Sequence, residues 1–491
     1  MRRVRSRPRR VWLHGEGAGA GYVRPGLRRG RVGSRRAVPL ARRQQVFRRV
    51  LVLAAALCAI PARAADPDLK FEKYRLPNGL TIVLSEDHRL PQVSVNVWYH
   101  VGAANQTTGR SGFAHLFEHM MFSGSKHAKD PDAILEQIGA SGMNGSTSFD
   151  RTNYYETVPS NELPTAIWLE SERMGFLLPT LDEQKLKIQR DVVSNERHQR
   201  IDNVPYGPTQ QRICDLLYPL PHPYYECVIG DIKEIQSASL DDVRDFFRRY
   251  YGPNNASLVL VGDFDPANAK RLIAKYFADI PRGPEVKKPD AKAKPVSSVV
   301  KETLPDRLAQ LPRFQMVWNG LVPFHDDEPA GDVLSELLVG GKTSRLYQLL
   351  ILEKQVASNV DATNLTLGLG GWIQVGATAR PGHTPDELRA LLQQSIDEVK
   401  RNGVGPEEVE RAKLKIVAGQ LRSLERGSAR ADLLNAYEMW LGDPGYLPRD
   451  LARYRAVTPQ AVQAFARKYL PDDRRLELTT VPAGRKTASA P

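Results

Sequence analysis

Apolar residues fall in two short runs in "KYRLPNGLTIVL", on either side of Pro77, Asn78 and Gly79. The pattern predicts two short strands joined by a tight turn. In "QVSVNVWYHVG" apolar and polar residues alternate with a period of two, which predicts a third strand. "MNGSTSFDRTNYYETVP" predicts a hairpin, with its polar turn near Asp150 to Asn153. The period then lengthens to that of a helix, predicting helices over residues 164–178 and 183–200. "SLDDVRDFFRRYYGPNNASLVLVGDFDP" reads as a helix, a Gly-Pro-Asn-Asn break and a strand.

The second half repeats this grammar. In "VTPQAVQAFARKYLPDDRRLELTTV", Val462, Phe465 and Tyr469 stand 219 positions after Val243, Phe246 and Tyr250. "RFQMVWNGL" followed by "GDVLSELLVGG" is another strand and helix. Between the halves, "PRGPEVKKPDAKAKPVSS" has no apolar period and reads as a linker. The expected fold class is therefore α+β: two similar domains, each a mainly antiparallel sheet packed with helices. Their expected bounds are residues 70–280 and 301–485, joined by a linker at 281–300.

One short helix stands out. In "GFAHLFEHMMFSGS", advancing 100° per residue from Phe113 places Leu116, Phe117, Met120 and Met121 on one side. His115 and His119 fall near about 200° and 240°, and Glu118 near about 140°. The apolar face can pack on a core while the polar trio faces a cleft. Histidines four apart reach one ion, and neutral imidazoles suit zinc. Zinc acidifies a bound water, and Glu118 stands where it can take that water's proton. Composition alone produces an H-x-x-E-H string in roughly one such chain in a hundred. A third ligand is expected from "QKLKIQRDVVSNERHQR". There Glu196 follows Val192 by four and Val193 by three, on what reads as an apolar stripe, where a carboxylate must be paired or bind metal.

Charge changes the picture little. The formal net charge is +13, but residues 1–50 hold 16 of the 69 basic side chains and only one acidic residue, Glu16. The rest has 53 basic against 55 acidic side chains, so the basic footprint of a nucleic-acid binder is missing. Residues 1–40, rich in Arg and Gly, read as lacking a fold of their own. Arginines 42, 43, 48 and 49 precede the apolar run "VLVLAAALCAI" and then "PARA". This is the pattern of a secretory signal peptide, with cleavage expected after Ala64. The mature chain would be periplasmic or secreted and carry no stable membrane span, the run being too short to cross a bilayer. Cys214 and Cys227 remain, either as a disulfide or as two thiols.

The order of motifs, "HLFEH" and then Glu196 at 77 positions after His119, resembles the inverted-motif zinc peptidases of family M16, in its bacterial two-domain form. The resemblance covers about residues 70–485. It implies that His115, His119 and Glu196 bind one zinc ion and that Glu118 is the general base. It implies that Asn144, Gly145, Ser146 and Thr147 form an edge strand to which an extended peptide adds by main-chain hydrogen bonds. A second glutamate usual in the family, seven residues before the metal-binding one, is Gln189 here, and leaves a hydrogen-bonding role at most. The Arg and Tyr that many members supply from the second domain are missing near "QLLILEKQVASNV", where Leu350, Ile351 and Leu352 lie before Glu353 and Ser358 stands near the expected Tyr. The expectation is a zinc endopeptidase acting on peptides or unfolded segments, as a homodimer or a heterodimer with a related subunit. The alternative is a non-catalytic binding or scaffold subunit.

Overall fold

A computed structural model describes residues 67–484. The expected signal segment and the cleavage position after Ala64 lie outside the described residues. The first half runs β1 (Glu72–Arg75), β2 (Thr81–Glu86), β3 (Gln92–Tyr99), α1 (Phe113–Met120), β4 (Ser141–Thr147), β5 (Thr152–Pro159), α2 (Leu163–Phe176), α3 (Glu183–Arg197), α4 (Gly207–Leu217), α5 (Leu240–Tyr250), β6 (Ala256–Gly262) and α6 (Pro266–Phe277). The second half runs β7 (Val299–Asp306), β8 (Arg313–Asn319), α7 (Glu328–Val339), β9 (Ala357–Leu365), β10 (Trp372–Ala379), α8 (Pro385–Asn402), α9 (Pro406–Ser423), α10 (Gly427–Leu441), α11 (Pro459–Tyr469) and β11 (Arg475–Pro482). Further helices fill some of the connections. The hairpin turn sits slightly earlier than expected, since β5 already begins at Thr152.

The two sheets share one design. Their strand orders are β1-β2-β6-β3-β5-β4 and β7-β11-β8-β10-β9. Each is antiparallel except for one parallel pair, β2 with β6 and β7 with β11. The repeat seen in the sequence holds in space, because α5 and α11 begin and end at the same offset of 219 and each leads into the strand of the parallel pair. Val243 and Phe246 are buried on α5, as are Val462 and Phe465 on α11. The Ser239 hydroxyl caps α5 and the Thr458 hydroxyl caps α11, each by accepting a backbone N–H at the third helical residue.

Each sheet is closed on one face by helices of its own half and on the other by a helix of the opposite half. α10 lays Ala431 and Leu434 on Val83, Val259 and Val261 of the first sheet. Its Asn435 amide donates to the Asn96 carbonyl at 3.1 Å and accepts from the Ser257 hydroxyl at 2.6 Å. In return α4 lays Ile213, Cys214 and Leu217 on Val317, Leu476 and Leu478 of the second sheet. Thr209 and Thr480 pair their hydroxyls at 2.6 Å across that contact. The described residues accordingly belong to one compact unit. The Pro- and Lys-rich segment between the halves is tied down along its length. Gly283 binds Asn254, Ala293 binds the Leu369 carbonyl, Lys294 binds the Leu217 carbonyl through its backbone, and Val296 binds Asn319.

Cys214 and Cys227 form a disulfide, with Cα atoms 5.6 Å apart. It ties α4 to the segment that leads back toward α1. Among the described residues, no helix is long and apolar enough to cross a membrane.

Leu434 is fully buried between α10 and the first sheet. Leu434→Ala is expected to lower stability by about 2–5 kcal/mol. Because the halves interlock, urea unfolding followed at Trp98 in the first sheet and at Trp318 in the second should shift to one common midpoint. Two separate midpoints would show that the halves fold independently.

Candidate metal centre

Helix α1 divides as its periodicity predicts. Phe113, Leu116, Phe117 and Met120 are buried in the core of the first half. His115, Glu118 and His119 line a cleft of about 860 Å³. Glu196, in the last turn of α3, meets the histidines there. Its Oε2 lies 3.1 Å from Nε2 of His119 and 3.6 Å from Nε2 of His115. Among the described residues these three form a cluster able to hold a metal ion, with all ligand atoms within 4.8 Å of one another.

Glu196 does not lie on a buried stripe. Leu186 and Val193 are fully buried, but Val192 is 41% exposed and Ile188 is 50% exposed. Val192 and Glu196 face the cleft together. Periodicity marked the correct face but not what covers it. The other carboxylate oxygen, Oε1, pairs with Arg200 at 2.8 Å. Glu196 thus has one oxygen for an arginine and the other for the histidines.

The donor set fits zinc. Two imidazole nitrogens and one carboxylate oxygen are a three-protein-ligand set of the kind that leaves a fourth position open. Metal–ligand bonds of about 2.0–2.2 Å imply ligand separations of about 3.3–3.6 Å in a tetrahedral site, and the two distances from Glu196 to the histidines, 3.1 and 3.6 Å, lie close to that range. The ring planes of His115 and His119 stand at 89° to each other. Burial and the neighbouring His119 lower the pKa of His115 to about 4, which keeps it neutral, as a ligand must be. The hydrogen bond with His119 holds the Glu196 carboxyl below its usual range. Burial pushes the Glu118 carboxyl up, against a hydrogen bond from Thr147.

The expected edge strand lines the same cleft. β4 is the last strand of its sheet, so one edge carries no neighbouring strand. Asn144, Gly145, Ser146 and Thr147 all face the cleft. The Thr147 hydroxyl donates to Oε2 of Glu118 at 2.6 Å, a side-chain role for a residue expected to act through its backbone. Space beside Gly145 is tight: a Cβ there would lie 3.0 Å from Oε1 of Glu118 and 3.0 Å from the Phe122 ring, so either side chain would have to give. Asn144 turns its side-chain oxygen to the Gly145 N–H at 2.9 Å. Gln189 is not among the cleft-lining residues and reaches the Ser123 hydroxyl at 3.4 Å.

Other parts of the cleft were not foreseen. Arg200 could have been read from its position four residues after Glu196. Phe149, Val228, Ile229 and Trp372 come from separate segments, and no local signal announces them. Near the expected places of the second-half Arg and Tyr, Leu350 is buried, Leu352 is 48% exposed, and the Ser358 hydroxyl donates to the Thr378 and Ala379 carbonyls.

Comparison with known proteins agrees with this architecture. The family model described as Insulinase (Peptidase family M16) matches residues 81–210, and the one described as Peptidase M16 inactive domain matches residues 237–416. The chain is 32% identical to the zinc protease PqqE of Helicobacter pylori over 380 residues, covering 75% of this chain and 83% of that one. It is 24% identical to an uncharacterized zinc protease, YmxG, of Bacillus subtilis, covering 84% of this chain and 98% of the relative. A solved protease from Helicobacter pylori superposes with a TM-score of 0.79 at 27% identity, covering 85% of this chain and 100% of that one. The first half of the periplasmic protease PqqL from Escherichia coli, at 18% identity and a TM-score of 0.68 over 85% of this chain and 93% of that one, shares the fold. With both family models matched in their proper order and an H-x-x-E-H helix at the cleft, the chain belongs to the M16 family of peptidases.

Proposed function

We propose that the protein is a zinc-dependent endopeptidase acting on extended peptides or unfolded segments. One observation carries the reading: two histidine nitrogens and a glutamate oxygen converge in a cleft that also holds Glu118 and an open strand edge. His115, His119 and Glu196 would hold the ion. Zinc, when bound, polarises a carbonyl and acidifies water. Glu118 accepts a proton from the attacking water at its carboxylate and delivers it to the leaving amine. Thr147 orients that carboxylate through its hydroxyl hydrogen bond. β4 binds the peptide as an added strand, so main-chain hydrogen bonds set its direction and the cleft walls select side chains. A secreted or periplasmic setting is supported by the leader pattern before Ala64 and by the disulfide.

Leu352 and Ser358 favour a further element of the proposal. This chain supplies the metal half of the site, and a second subunit, a copy or a related chain, supplies groups that hold the substrate carbonyl. The same two residues are what favours the alternative of a binding or scaffold subunit, and activity separates the two.

Glu118→Gln is expected to lower kcat by about 10²–10⁴ while the chain still binds one zinc ion, read by metal analysis. His119→Ala and Glu196→Ala are expected to lose the metal, and a chelator should abolish cleavage of a quenched peptide library by the parent. Cleavage that persists under chelation would exclude the metal mechanism; zinc-loaded protein that binds peptides and never cleaves them would favour the scaffold. Thr147→Val, which removes one hydrogen bond to the base, is expected to lower kcat by about tenfold. In sedimentation, the active species should be a dimer, and full activity in a monomer would remove the need for a second subunit.

A further inference from the structure

The helix that carries His115, Glu118 and His119 needs an anchor at its C-terminal end. The carbonyls of Phe117, Glu118, His119 and Met120 are taken by the backbone N–H groups of Met121, Phe122 and Ser123. The next carbonyl, that of Met121, accepts a 3.1 Å hydrogen bond from Nη1 of Arg173 on α2. Arg173 is only 5% exposed. Its guanidinium lies 5.0 Å from the centroid of the Phe122 ring and 4.6 Å from that of Tyr154. Its Nε and Nη2 hold Oε1 of Glu170 at 3.2 and 3.1 Å.

Phe122 in turn lies against the site. It is one of the two groups, with Glu118, that a Cβ on Gly145 would meet at 3.0 Å. A chain of contacts therefore runs from Glu170 through Arg173 to the end of α1, and through Phe122 to β4 and Glu118.

A buried charge is a poor way to stabilise this region. Burial opposes the charge on Arg173, and the pull of Glu170 and Glu156 outweighs it. Burial pushes the carboxyls of both acids up. Apolar residues of similar volume generally replace such a buried pair without loss of stability. A methionine would fill the space among Phe122, Tyr154 and the sheet. It could not donate to the Met121 carbonyl while presenting a planar cation to two rings.

We propose that Arg173 is a positioning residue that fixes the C-terminal end of the metal helix and, through Phe122, the separation between Glu118 and the edge strand. The catalytic part of this inference rests on the peptidase reading above; the anchoring part does not. Side chains that orient a ligand set typically change metal affinity by about 10–100-fold when removed.

The test uses the double variant Arg173→Met/Glu170→Gln, which removes the ion pair and leaves one facing acid, Glu156, which burial already pushes toward its neutral form. Its melting temperature is expected to stay close to that of the parent. Zinc affinity should fall by about 10–100-fold, and kcat should fall by a similar factor with KM unchanged. In the zinc-free chain, amide hydrogen exchange at residues 121–124 and 144–147 should quicken by about tenfold, while exchange in β3 and β6 stays as it was. A well-folded variant with parental exchange in those segments and parental zinc affinity would overturn the proposal. Should the double variant fail to fold, Arg173→Lys takes its place. It keeps a cation beside Glu170 but lacks the fork that reaches both partners, and the same shifts in exchange and affinity are expected. If the parent cleaves no peptide at all, the peptidase reading fails, and exchange in the zinc-free chain still decides whether Arg173 anchors the helix.

Discussion

The site depends on the contact between two backbones at the start of α1. Gly112 caps the helix at φ +74°, and Gly230 lies against it at φ +81°. A Cβ on Gly230 would sit 2.4 Å from the Gly112 Cα and nitrogen, and a Cβ on Gly112 would sit 2.6 Å from the Ile229 carbonyl oxygen. Only glycine accepts both the left-handed backbone and the lack of room. Ser111 and Asp231 reinforce the contact by a 2.9 Å hydrogen bond, and Glu234 accepts the Ser111 N–H at 2.6 Å. The metal helix is thereby fastened to the 219–231 segment, which the disulfide fastens to α4, which covers the sheet of the other half. The position of two histidines thus depends on packing that involves the whole described unit.

The helix itself was legible because its information is local. Four apolar residues and three polar ones on opposite sides of an eight-residue helix can be read from spacing alone. The repeat at an offset of 219 was legible for the same reason, since each copy is a continuous helix, break and strand. Glu196 was different. Its local pattern pointed to burial, and the structure turns Ile188 and Val192 to the open side. An apolar stripe reports that a face meets something other than bulk water, and a cleft wall meets that description as well as a core does. Only the spacing between motifs identified the residue. The place of Thr147 on the edge strand was legible through the family resemblance, but its hydrogen bond to Glu118, like the hydrogen bond of Arg173 to Met121, was not, because the partners lie 29 and 52 residues away and nothing in the intervening sequence records the contact.

The second sheet shows what the same topology becomes without the site. There α7 follows β8 as α1 follows β3, and β9 is the edge strand as β4 is. The space between helix and edge is closed, however. A Cβ on Gly331 of α7 would lie 2.6 Å from the Asn364 side chain of β9 and 2.6 Å from Phe465. Asn364 also donates to Asp332 at 2.9 Å, and Tyr454 donates to the same carboxylate at 2.7 Å. Asp332 is thus filled in by its neighbours, whereas in the first half a carboxylate and two imidazoles converge on an open cleft. One fold carries both arrangements, so the function is argued from the side chains and not from the fold.

The end of α3 shows how the open arrangement is sustained. After Arg197 the helix widens into a π turn over His198–Asp202. Glu196, Gln199, Arg200 and Ile201 all line the cleft. Arg200, four residues on, lies beside Oε1 of Glu196 while Oε2 points to the histidines. Arg200 is itself largely exposed, so its pairing biases the carboxylate without locking it. The firmer constraint is shared by the two helices: Gly230 packs against Gly112 at the start of α1, and its carbonyl accepts a hydrogen bond from Nη1 of Arg197 at the end of α3. The third ligand and the two histidines therefore sit on elements anchored to one segment, and that common anchor is what lets a three-residue donor set hold its shape.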